Sequence, residues 1–176
     1  MFRILFGNNI LQKLKKENGF IFLEILIAVA LVGIVFLTLL SIGVQSMAAS
    51  RSIKKAAEVD SLIKEELEAV RSFRDGTQWA TNGLGVVATG STNPRYTALD
   101  SSTPPKWILQ SGTETVGAFT RNVVFDKVSR NPSTQNIEST YNAANDDPDT
   151  RKATVTVTYG GKTYQVITYL TNWQNN

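Results

Sequence analysis

The chain has 176 residues, enough for one globular domain with an appended segment. It contains no cysteine and no histidine, which excludes disulfides, Cys or His metal sites and catalysis by either side chain. The net charge of +3 arises entirely before Phe20, because 14 basic and 14 acidic residues follow. A neutral body lacks the basic surface typical of nucleic-acid binding, so we expect no nucleic-acid partner.

Residues 1–19 form a short basic leader, with most of its charge on Lys13, Lys15 and Lys16. A basic segment directly before an apolar run predicts that the N-terminus faces the cytoplasm and that the rest of the chain lies outside. We therefore expect a single-pass membrane protein with an extracytoplasmic C-terminal part.

Residues 20–44 form one apolar run whose only charged residue is Glu24. A helix of this length measures about 37 Å, and about 20 residues suffice to cross a bilayer. The nearest small-residue cleavage motif, SMAAS at 46–50, follows a full-length span, which is not the layout of an ordinary secretory signal. The run is predicted to be the transmembrane half of a longer helix.

Residues 45–75 contain no glycine or proline and continue the helical pattern. Apolar residues recur every three or four positions, which predicts an amphipathic half with one apolar stripe. The stripe consists of Ile53, Ala56, Val59, Ile63, Leu67, Val70 and Phe73. Since no turn signal separates the two halves, we expect one helix from about residue 21 to 75, ended by Gly76.

Residues 76–176 are predicted to form a β-sheet head. The segment 77–117 is rich in turn residues and has room for short strands near 85–88 and 107–110. A further strand is expected at 118–128, followed by a polar, turn-rich stretch at 129–150.

The end of the chain predicts a β-hairpin. Strict alternation at 153–159 indicates a strand with one apolar face, and Gly160-Gly161 is a two-residue turn into 162–171. This turn would pair Val157 with Tyr164 and Val155 with Val166. The expected fold class is α+β, with a long N-terminal helix packed by its apolar stripe on a small antiparallel sheet of three or four strands.

The junction between leader and helix reads KKENGFIFLE at 15–24. This resembles the class III signal of type IV pilins and pseudopilins, because a basic leader, Gly-Phe, a glutamate fifth after the glycine and an uninterrupted apolar run coincide. The resemblance implies cleavage between Gly19 and Phe20 by a prepilin peptidase and N-methylation of Phe20. It also implies that Glu24 pairs with the Phe20 amine of a neighbouring subunit, which would offset the cost of a carboxylate among apolar helices.

The resemblance continues more weakly through the segments EELEAVRSFR, FTRNV and the C-terminal hairpin. Three departures favour a minor pilin or pseudopilin: Ile21 stands where Thr or Ser is common, the apolar run has no proline, and the terminal cysteine pair is missing. The implied partners are other pilin subunits, the prepilin peptidase, an inner-membrane assembly platform and membrane lipid. The implied final location of the chain is a pilus, or a pseudopilus of a secretion or competence system. We expect a structural subunit with no enzymatic activity and no cofactor.

Two other functions remain open. A single-pass anchored binding domain that never assembles would keep the span and the sheet, and a membrane-anchored hydrolase would need paired carboxylates. Asp146, Asp147 and Asp149 are weak candidates for a calcium site, but they lack the spacing of a known calcium loop. We favour a solvated turn before a strand at these positions.

Overall fold

The computed structural model describes the backbone of residues 7–174 and the side chains of residues 20–174. The chain divides into two compact units, Met1–Lys54 and Lys55–Asn176. Helix α1, six strands and a short 3-10 helix at Ala143–Asn145 make up the regular structure of the described part. The long helix and the strands are α1 (Gly7–Asp75), β1 (Arg95–Leu99), β2 (Trp107–Ser111), β3 (Glu114–Val116), β4 (Phe119–Ser129), β5 (Asp146–Tyr159) and β6 (Lys162–Thr171).

In the first unit, the described chain is helical throughout and every residue from Phe20 to Lys54 is exposed. Within the described residues, one helix is long and apolar enough to cross a membrane. The helix already includes Gly7, the first described residue, rather than starting near residue 21, because residues 7–18 include no proline and several good helix formers. The predicted end is confirmed, since the N–H of Gly76 closes the last turn on the carbonyl of Ser72 at 2.9 Å.

The second unit contains an antiparallel sheet with the strand order β2-β1-β4-β5-β6, and β3 pairs with β4 beside β1. Six strands replace the three or four that were predicted. The strand at 107–110 is confirmed as β2, whereas 85–88 contains no strand and β1 and β3 were missed. Strands of three to five residues carry too little alternation to be distinguished from loop, and their pairing is set by distant residues.

The C-terminal hairpin has the predicted register, with Val157 opposite Tyr164 and Val155 opposite Val166. Gly160 and Gly161 have φ values of 55° and 77°, as a type I′ turn requires. Val155 and Val157 are fully buried. Their partners on β6 stay more than one-third exposed, because β6 is the edge of the sheet.

The core of the second unit lies between α1 and one face of the sheet. Val59, Ile63, Val70 and Phe73 of the predicted stripe are buried there, and each buried side chain of this kind contributes roughly 1.5–3 kcal/mol. Their partners from the rest of the unit include Trp79, Leu84, Phe119, Val123, Phe125, Ala153, Val155, Val157 and Leu170. The stripe begins later than predicted, since Ile53 and Ala56 are exposed.

At the start of the packed part of α1, the ammonium group of Lys55 lies over two aromatic rings. It is 5.3 Å from the ring centre of Phe119 and 5.2 Å from that of Tyr159. The two rings stack at 4.8 Å. The same ammonium pairs with Glu58 of α1 at 2.7 Å, and its contact with the two rings joins this end of the sheet to the helix.

Candidate functional site

The surface of α1 from Phe20 to Met47 carries exposed hydrophobic side chains on all sides. Its large hydrophobic side chains are between 51 and 74 % exposed. Soluble monomers rarely expose so much contiguous apolar surface, and such surfaces are covered by lipid or by other chains. This part of the helix is therefore the first candidate site of interaction.

Glu24 is the single charged residue between Phe20 and Ser50. It is exposed, and none of the described cations forms an ion pair with it. Phe20 lies one helical turn earlier, and the two residues line the same shallow depression together with Leu23 and Ile27. The structure thus brings the two predicted site residues Phe20 and Glu24 onto one face of the helix.

The predicted cleavage site lies inside α1, so the peptide bond between Gly19 and Phe20 is helical. The side chains of Lys13, Lys15 and Lys16 lie outside the described residues, and so do any contacts of Gly19. A protease that binds its substrate in extended form would have to unwind the helix here. Glycine lowers the cost, because it destabilises a helix interior by roughly 1 kcal/mol relative to alanine.

A second site, the Glu66–Arg121 cluster, is buried in the second unit and was not predicted. Glu66 is fully buried on α1, and its carboxylate accepts hydrogen bonds from the backbone N–H of Thr97 at 2.9 Å and from its hydroxyl at 2.7 Å. Arg121 on β4 is 4 % exposed and lies 3.4 Å from Glu66. Its guanidinium also pairs with Glu114 on β3 and, at 3.1 Å, with Glu65.

The cluster occupies the point where the sheet divides. β1 pairs with β4 at Arg95 opposite Val123, and beyond this position β3 takes its place beside β4. The N–H of Thr97 therefore has no strand partner on that side, and a buried unpaired donor would cost about 1–3 kcal/mol. Glu66 accepts this hydrogen bond from the helix, so the cluster holds α1, β1, β3 and β4 together.

Burial raises the pKa of Glu66, and the hydrogen bond from Thr97 and the charge of Arg121 offset only part of this effect. Burial by itself would lower the pKa of Arg121. Its hydrogen bond to Glu114 and the fields of Glu66 and Glu65 outweigh burial, and the pKa of Arg121 is raised. The arginine stays charged, and the carboxylates around it compensate that charge.

The sequence did contain a signal for this cluster. The positions 59, 63, 66, 70 and 73 are spaced by three or four residues, so Glu66 belongs to the buried stripe. The predicted stripe had contained the neighbouring Leu67 instead. In the same way, Arg121 stands among the buried alternate residues of β4. A charged residue at an apolar position of both elements indicates a buried ion pair.

A third cluster fixes the loop that follows α1. The indole N–H of Trp79 donates to the carbonyl of Pro148 at 3.0 Å, and the guanidinium of Arg151 lies 5.8 Å from the Trp79 ring centre. Arg151 also donates to the carbonyl of Gly85 at 2.8 Å. These contacts attach the loop to the start of β5, which is a structural role.

The three aspartates considered for calcium do not converge. They lie in β5, which begins at Asp146, so the expected turn before the strand is wrong. Asp146 accepts from the Tyr141 hydroxyl, Asp147 pairs with Arg130, and Asp149 accepts from Asn172. Among residues 20–174, no group of three acidic, His or Cys side chains could hold a metal ion.

Comparison with protein-family models, curated proteins and solved structures finds no match.

Proposed function

We propose that this chain is a type IV pilin-like subunit, either a minor pilin or a pseudopilin. In this proposal it enters the membrane with its N-terminus in the cytoplasm, loses residues 1–19 to a prepilin peptidase and joins a helical filament. Its role is structural, without catalysis. The head would face the periplasm or the cell surface within a pilus or pseudopilus.

The observation that carries the proposal is the junction at 15–24 followed by an apolar helical surface exposed on every side. A lone membrane anchor needs apolar residues but has no use for a glutamate one turn inside the span. A carboxylate in the middle of a membrane helix costs roughly 2.5–3.5 kcal/mol and less near its end. A residue with this cost is expected to have a partner.

The proposed partner of Glu24 is the amine that cleavage creates on Phe20 of a neighbouring subunit. Opposite charges attract more strongly in the low dielectric of a filament core than in water. Because no described cation within the chain pairs with Glu24, its carboxylate is free to make this contact. The pair would set the axial register between adjacent subunits.

Substitution of Glu24 tests the proposal. In a host with a prepilin peptidase and an assembly platform, we expect Glu24→Ala to be inserted and processed but lost from the sheared filament fraction. Glu68→Ala is the matched control, since Glu68 lies on the exposed side of α1 and pairs only with Arg71 among the described residues. Equal recovery of both variants in the filament fraction would contradict the proposal and favour an anchored binding domain that does not assemble.

A further inference from the structure

β6 forms an edge of the head's sheet that lacks the usual protection. Its ten residues pair with β5 in an unbroken register, and no described strand lies on its other side. Edge strands are normally protected by charge, proline, a bulge or short length. β6 has none of these apart from Lys162 at its first position, and Tyr164, Val166, Ile167 and Tyr169 are 37–56 % exposed.

The backbone of β6 defines what can cover this edge. Tyr159 and Lys162 flank the two-residue turn and therefore form a hydrogen-bonded pair of the ladder. Hydrogen-bonded and non-hydrogen-bonded pairs alternate in an antiparallel ladder, so Gln165, Ile167 and Tyr169 direct their N–H and C=O groups away from β5. A row of free donors and acceptors is complementary to another extended strand.

The opposite edge of the same sheet supplies such a strand. β2 contains no charged residue and pairs with β1 alone among the described strands. Two backbone hydrogen bonds flank the β1–β2 ladder: Asp100 N–H donates to the Lys106 carbonyl, and Gly112 N–H donates to the Pro94 carbonyl. They determine which residue pairs of this ladder are hydrogen-bonded and which are not. Trp107, Leu109 and Ser111 therefore direct their backbone groups outward.

The directions of the two edge strands also agree. Every neighbouring pair along β2-β1-β4-β5-β6 is antiparallel, so the first and fifth strands run in the same direction. In the proposed filament, neighbouring copies would share one direction. Side by side, β6 of one copy and β2 of the next meet as parallel strands without either head being inverted.

We propose that β6 pairs in parallel with β2 of a second copy of this chain, so that the sheets of adjacent heads join. The inference rests on the proposed function for the shared direction of the copies in the filament. Two β6 strands cannot substitute for this contact, because a two-fold axis would pair them antiparallel and turn the helix segments 55–75 in opposite directions. Five paired residues span about 17 Å, which adds a head contact to the helix contacts of a filament.

The chain has no native cysteine, so the contact can be tested by crosslinking. Gln165 on β6 and Gln110 on β2 are exposed and lie on the face of the sheet opposite α1. Full-length Gln165→Cys and Gln110→Cys chains are produced together in the same membranes and treated with a thiol crosslinker that reaches about 10 Å. Strands lie about 4.8 Å apart, and a slip of two residues adds about 6.6 Å along the strand, so the reach covers both registers.

We expect a covalent dimer when both variants are present and none when either is present alone. A dimer from Gln165→Cys alone would demonstrate antiparallel pairing of two β6 strands and overturn the proposal, as would the absence of any dimer or a product with a different protein. The N-terminal mass of the same sample reports separately on processing. An unprocessed chain that still forms the mixed dimer would refute the filament subunit while supporting the joined sheets.

A proline in β6 supplies a second readout. In a chain that also carries Gln165→Cys, Ile167→Pro removes an outward N–H and spares the bonds to β5, as is tolerated on edge strands. We expect the yield of dimer with the Gln110→Cys chain to fall by roughly fivefold, the effect of one lost hydrogen bond. Ile167→Val keeps the N–H and should keep the yield. Equal yields from the proline and valine chains, with unchanged thermal unfolding, would overturn the proposal.

Discussion

Glu66 on α1 and Thr97 on β1 are joined by two hydrogen bonds, because the carboxylate accepts both from the backbone N–H at 2.9 Å and from the hydroxyl at 2.7 Å. The contact is buried. It gives the N–H of Thr97 a hydrogen-bond acceptor at the point where β1 no longer pairs with β4. The helix thus completes the hydrogen bonding of the sheet, in addition to covering its apolar face.

Glu66→Ala is expected to destabilise the second unit strongly. It leaves the N–H of Thr97 and part of the charge of Arg121 without a buried partner, and breaking a buried pair of this kind costs about 3–5 kcal/mol. Glu66→Gln keeps one acceptor for Thr97 and should cost less. Thermal unfolding of the full chain in detergent measures both, with Glu68→Ala as the exposed control. If Glu66→Ala lowers the unfolding temperature no more than Glu68→Ala does, the cluster does not have this stabilising role.

The stability of the head is expected to depend on pH through Glu66. Burial raises the pKa of Glu66 above its ordinary value of 4.5, so the folded chain retains this proton where the unfolded chain has released it. The stability contributed by the protonated group is therefore complete below about pH 4.5 and declines as the pH rises through the folded pKa. In unfolding scans, the stability of the wild type relative to Glu66→Gln should be greater at pH 4.5 than at pH 7. A difference independent of pH would contradict the raised pKa.

Gly85→Ala tests the packing of the loop against Trp79. An added Cβ would lie 2.6 Å from both Cδ1 and the carbonyl oxygen of Trp79, closer than any ordinary contact. Overpacking of this kind costs about 1–3 kcal/mol, which lowers Tm by about 2–4 °C per kcal/mol in a chain of this size. Val86→Ala at the neighbouring exposed position should leave Tm unchanged. Equal Tm values for the two variants would show that the loop is not held as described.

The hairpin turn is expected to depend on backbone conformation rather than on contacts. Gly160 has a φ of 55° and no atom within 4 Å of an added Cβ. Gly160→Asn should therefore be tolerated, because asparagine adopts positive φ in type I′ turns, whereas Gly160→Val should lower Tm. If both variants unfold at the wild-type temperature, the turn does not constrain the register of β5 and β6.

The parts of the fold that were predictable share a strong local pattern. The apolar run, the stripe from Val59 to Phe73 and the hairpin at Gly160-Gly161 each follow a period that a short window of sequence contains. β1 and β3 were missed because they are short and exist through pairing with β4 and β2. The start of β5 at Asp146 was missed because a run of aspartates is typical of a turn. In the structure, Arg130 binds the carboxylate of Asp147 and the Tyr141 hydroxyl donates to Asp146.

The candidate sites divide in the same way. Phe20 and Glu24 could be selected because a motif within ten residues contains them. Glu66 and Arg121 could not be paired by spacing, since they lie 55 positions apart in the chain. Each stands at an apolar position of its own element, and the fold alone brings those two positions to one point.

The proposed function requires that the chain is processed as a pilin-like subunit. The most direct measurement is the mass of the N-terminal peptide of protein recovered from membranes of a host with an active prepilin peptidase. We expect a peptide that begins at Phe20 and carries one methyl group. An intact leader, or a first residue after position 46, would contradict the proposed function.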